Sequence, residues 1–76
     1  MEDKLITTKF GLTVKKIRTS KGISQEKFAE IAGLHRTYIS EVERGTRNVS
    51  LINIVRIAEA LEIKLSDFFK EMENEH

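Results

Sequence analysis

Arg36, Thr37 and Tyr38 stand side by side and bring a forked donor, a methyl-bearing hydroxyl and an aromatic ring to one place in the chain. An arginine fork can pair with guanine O6 and N7, a threonine can touch a thymine methyl or a phosphate, and a tyrosine ring can stack on sugars or base methyls. With Ile39 set toward a core and 100° turned per residue, Val42, Glu43 and His35 share the inner side of this segment. Thr37, Ser40, Glu41 and Arg44 then point outward, with Arg36 and Tyr38 flanking the start. Such a face suits a helix laid in a major groove, where residues near the helix N-terminus reach base edges first. It equally describes an ordinary solvated helix face, and these residues alone do not separate the two. Glu41 is the awkward one. Phosphates repel it unless a cytosine N4 donates to it or the helix tilts to keep it in water.

Other chemistry is sparse. With no cysteine and two histidines, His35 and His76, no metal site is expected, and His35 is expected to pack or cap. No nucleophile-base set and no phosphate-cradling glycine loop appears, so no enzyme activity, cofactor or small-molecule ligand is expected. The 76 residues, 39% hydrophobic and 33% charged, suit one small folded domain spanning residues 1–76. The longest apolar stretch, Leu51 to Leu61, is interrupted by Asn53, Arg56 and Glu59, whereas a bilayer span needs about 20 apolar residues. Met1-Glu2-Asp3-Lys4 lacks the features of a secretory signal, so the chain is expected in the cytoplasm, away from membranes. A core of this size supplies only about 3 to 5 kcal/mol unless something staples it, and self-association is the staple left. Charge is uneven: residues 1–56 hold 11 Lys or Arg against 6 Asp or Glu, net +5, and residues 57–76 hold 2 against 6, net −4. One end can therefore face a polyanion while the other avoids it.

Five helices account for the periodicity. Thr7 or Thr8 is placed to cap the first, on which Phe10, Val14 and Ile17 share a face, and Gly22 follows its end. Ser24 caps a second from Gln25 to Ala32, with Phe28, Ile31 and Ala32 inward and Gly33 as its stop. The third runs from Arg36 to Arg44, and the short glycine turn before it forces a steep crossing, which is helix-turn-helix geometry. Ser50 caps a fourth, with Leu51, Ile54, Val55, Ala58 and Leu61 inward. Ser66 caps a last short helix, Asp67 to about Met72, before an acidic tail, Glu73 to His76, that is expected to fray. The expected fold is all-α, a compact five-helix bundle.

The stretch from Gly22 to Gly45 resembles the phage repressor and Cro type of helix-turn-helix, the XRE family, with its lambda repressor-like DNA-binding domain. Within it, Arg36-Thr37-Tyr38-Ile39-Ser40, Val42-Glu43-Arg44-Gly45 and Arg47-Asn48 are similar to controller proteins of restriction-modification systems. That resemblance implies a homodimer on a pseudo-palindromic operator in double-stranded DNA, regulating its own gene and that of an endonuclease, activating at low occupancy and repressing at higher. It nominates Arg36, Thr37, Tyr38, Ser40 and Arg47 for bases, and Ser24, Gln25, Asn48, Arg44 and Arg18 for phosphates. Arg18 is further implied as the partner of Glu43, whose inward charge needs one. Glu26 and Glu30, one turn apart, match acids that related activators turn toward RNA polymerase; an ordinary solvated face is the plainer reading.

Ile63, Leu65, Phe68 and Phe69 carry more apolar surface than one small fold readily covers. A dimer contact within residues 50 to 72 is expected, the competing view being that they seal the monomer core. Two other functions remain open. One is a phage or plasmid repressor or an antitoxin; the other is a helical module that binds protein and no DNA.

Overall fold

The computed structural model describes residues 2–75. Its elements are α1 (Asp3–Ser20), α2 (Gln25–Ala32), α3 (Arg36–Glu43), α4 (Leu51–Ala60) and α5 (Leu65–Glu73). No strand occurs among the described residues. The acidic end is helical through Glu73, while His76 lies outside the described residues.

α1 starts at Asp3, with Glu2 in the extended cap position, so neither Thr7 nor Thr8 opens it. Threonine is tolerated inside this helix because its hydroxyl finds a carbonyl one turn back. Thr7 Oγ1 donates to Lys4 O at 3.2 Å, and the buried Thr13 donates to Lys9 O at 2.8 Å. α2 and α4 begin at serine caps: Ser24 Oγ accepts from Lys27 N, and Ser50 Oγ accepts from Asn53 N. α5 has no such cap. It begins at Leu65, one residue before Ser66, with Lys64 in the cap position, and it buries Phe68.

The core gathers Phe10, Val14, Phe28, Ile39, Val42, Ile57, Leu61 and Phe68. Phe10 and Phe68 pack with ring centroids 5.1 Å apart, tying α1 to α5. Three inward expectations fail. Ile31 is 51% exposed, His35 is exposed, and Leu51, the first residue of α4, is 74% exposed although it shares a face with the buried Ala58. A short helix at the edge of a bundle presents a narrower buried stripe than an ideal wheel suggests.

Two glycines set the angles at which α1, α2 and α3 meet. Gly33 closes α2 at φ 70° and ψ 33°, a left-handed turn that lets Leu34 N donate to Ala29 O at 2.9 Å and redirects the chain into α3. Gly11 lies where α1 crosses α3. A Cβ there would overlap the Val42 carbonyl oxygen and come within 2.9 Å of the Glu43 carbonyl oxygen, so only glycine allows this approach.

Candidate nucleic-acid interface

α3 is fixed from behind by a buried polar cluster. Arg18 Nε donates to Glu43 Oε2 at 2.6 Å, and Arg18 Nη2 donates to Glu43 Oε1 at 3.0 Å. The remaining arm, Nη1, donates to the Ile23 carbonyl at 2.7 Å. Gln25 Nε2 completes the cluster by donating to Glu43 Oε1 at 2.9 Å. Both charges are almost wholly removed from water, which is tolerable only because the fork-to-carboxylate geometry and added hydrogen bonds satisfy them. Arg18 is thus committed to the interior, and its expected phosphate contact is withdrawn: all three nitrogens of its guanidinium already donate within the protein.

The opposite side of α3 faces solvent. Arg36, Thr37 and Arg44 are exposed, Tyr38 and Ser40 are half-buried, and Arg44 Nη1 donates to Ser40 Oγ at 3.1 Å. His35 occupies the cap position of α3 without a side-chain bond. Ser24 Oγ is occupied by Lys27 N, and the amides of Gln25 and Glu26 stand in the first turn of α2, where helix geometry gives them no partner. An anion is favoured there by those amides and the helix dipole. Glu26 and Glu30 are exposed on α2, with Glu30 3.4 Å from Lys27.

The α3–α4 loop completes this surface in a way the sequence did not announce. Arg47 Nε donates to Glu41 Oε1 at 2.9 Å, and its guanidinium lies 4.8 Å from the centroid of the Tyr38 ring. Tyr38 is held in turn by α4, where Asn53 Nδ2 donates to its hydroxyl at 3.1 Å. Glu41 therefore neither stands alone before phosphates nor points into open water; it is paired within the protein. Arg47, Tyr38 and Asn53 line a groove beside α3 together with Gly33, Leu34, His35 and Thr37. Asn48 is exposed on the same loop. Asn53, in the first turn of an apolar helix, carried no signal of this role in its spacing.

The expected dimer residues divide. Phe68 is 1% exposed and belongs to the monomer core, so its expected interface role is withdrawn. Ile63 is half-buried and packs against that core. Leu65 and Phe69, four residues apart on α5, remain exposed, and Leu51 and Ile52 on α4 are more exposed still, at 74% and 68%.

A recognition helix supported from behind, its polar tip outward and a basic loop at its side, defines a helix-turn-helix protein of the nucleic-acid-binding type. The chain belongs to the helix-turn-helix (HTH_3) family, whose signature matches residues 14–68. It is 58% identical over 59 residues to the control protein C.BamHI of Bacillus amyloliquefaciens, covering 76% of this chain and 73% of that one. Among solved structures it resembles the restriction-modification controller protein C.AhdI from Aeromonas hydrophila, with TM-score 0.80, 49% identity, and coverage of 83% of this chain and 96% of that one. It also resembles the controller C.Esp1396I, solved as a tetramer in complex with its natural 35 base-pair operator, with TM-score 0.85, 37% identity and 90% of each chain covered. The five-helix fold and the family resemblance read from the sequence both stand.

Proposed function

We propose that this chain is a sequence-specific DNA-binding transcription regulator of the controller type, acting on its own gene and on that of a restriction endonuclease. The observation that carries this reading is the tip of α3, with Arg36 and Thr37 exposed and Tyr38 half-buried beside Arg47, backed by the buried Arg18–Glu43 pair. Arg36, Thr37, Tyr38 and Arg47 read base edges, with Ser40 close behind them. The first turn of α2 (Ser24 and Gln25), Arg44 and Asn48 meet phosphates. Net charge supports this arrangement, since the first 56 residues carry the positive excess.

A molecule measuring 31 × 22 × 21 Å offers a single α3, whereas an operator with two half-sites spaces its major grooves about 34 Å apart. A second copy joined through α4 and α5, with the exposed Leu51, Ile52, Leu65 and Phe69 covered, supplies the second α3. We assign the chain no catalysis, and we place its action in the cytoplasm with DNA and, through Glu26 and Glu30, RNA polymerase. No helix among the described residues is long and apolar enough to cross a membrane.

Selection from a random duplex library, with sequencing of bound molecules, tests the sequence-specific DNA binding on which this reading rests. The expected result is a two-fold-symmetric site with half-sites one helical turn apart. A module that binds only proteins would instead yield no common site and no duplex affinity at low salt.

A further inference from the structure

Glu41 presents a carboxylate on the side of α3 that the proposed function turns toward DNA, where phosphate repulsion disfavours it. Its geometry suggests a task that its charge alone does not. Only the Nε of Arg47 is engaged by Glu41, and no hydrogen bond within the described residues takes either terminal Nη group. The guanidinium is also stacked on Tyr38, whose hydroxyl is anchored to Asn53 of α4. A long side chain on a loop, half exposed, is thereby held at one edge and over one face. The pair of donors that remains is the pair that matches guanine O6 and N7 in parallel.

We propose that Glu41 is a positioning residue for base readout: it grips Arg47 by Nε and presents the terminal Nη fork to a guanine. This rests on the DNA-reading function above. Glu41 then raises discrimination without touching DNA, because an arginine already ordered loses less freedom on binding. Its negative charge is offset by Arg47 at 2.9 Å, which removes the objection to a carboxylate on this face.

The test uses the full chain and the E41A, E41Q, R47A and E41A/R47A variants, with fluorescence anisotropy on the selected duplex and on each of its single-base variants. E41A is expected to lower discrimination about tenfold at the guanine read by Arg47 and to leave the other positions alone. E41Q keeps an oxygen for Nε and should retain most of that discrimination. The double variant should match R47A, since Glu41 acts only through Arg47. Three results would overturn the inference: E41A indistinguishable from the unaltered protein; E41A binding every duplex more tightly by one common factor, which is simple repulsion; or an effect at a cytosine that persists without Arg47, which is direct contact by Glu41. If the unaltered protein selects no duplex at all, the DNA-reading function falls first and takes this inference with it.

Discussion

Arg18 and Glu43, 25 residues apart in sequence, meet through two parallel N–H to carboxylate bonds of 2.6 and 3.0 Å beneath the recognition helix. The pair joins the end of α1 to the end of α3, and Gln25 draws the start of α2 to the same carboxylate. α1, α2 and α3 therefore share one anchor on the side of α3 opposite the exposed Arg36 and Thr37.

Removing one partner should be severe. Arg18→Ala leaves Glu43 buried and unpaired, a loss of about 3 to 5 kcal/mol, close to the whole stability available to a core this small. Urea titration followed by circular dichroism measures it. Arg18→Met combined with Glu43→Leu should recover most of that loss; if the double replacement is as unstable as the single one, uncompensated charge is not the cause.

Gly11→Ala should cost at least about 1 to 3 kcal/mol, since the added methyl meets backbone carbonyls of Val42 and Glu43 that cannot rotate away. Because the displaced element is α3, operator affinity should fall further than the loss of folded protein accounts for. A melting temperature equal to that of the unaltered chain would contradict the close approach of the two helices.

Neighbouring phenylalanines should behave differently. Phe68→Ala opens a cavity in the core and should destabilise by about 3 to 5 kcal/mol. Leu51→Glu, at a side chain 74% exposed, places charge on the face proposed to pair, so the dimer dissociation constant should rise at least about tenfold, or about 1.4 kcal/mol. Phe69→Glu should do the same and in addition lose the edge contact of Phe69 with the Phe68 ring at 5.6 Å. Sedimentation velocity across a dilution series reads this. Unchanged self-association in both Phe69→Glu and Leu51→Glu would move the interface elsewhere.

Arg47→Ala should weaken operator binding. If a phosphate contact is lost, the slope of log affinity against log salt should fall by about one unit at all sequences; a lost guanine contact instead relaxes preference at one position. Anisotropy titrations at several salt concentrations separate the two, and an unaltered affinity would exclude Arg47 from the interface.

Number and order of helices were legible because helix periodicity and cap residues are local. Ser24, Gly33 and Ser50 mark their boundaries without reference to the rest of the chain. Signals failed where tertiary packing outweighed local preference. Thr7 and Thr8 look like caps yet lie within α1, and no glycine announces the end of α4, where Glu62 takes a left-handed turn at φ 56°. Leu51 has the type and spacing of a core residue, but it stands at the open first turn of α4 and is left 74% exposed.

From the sequence alone came the helix-turn-helix, the polar start of α3 and the need for a partner to Glu43, all consequences of residue type and of spacing within a few turns. Tertiary structure alone decided that Glu41 pairs with Arg47, that Asn53 holds Tyr38, and that Phe68 is interior while Phe69 is not. Those facts depend on how separate helices and a loop approach in space. A periodic pattern fixes the face of one helix, and only packing fixes what that face meets.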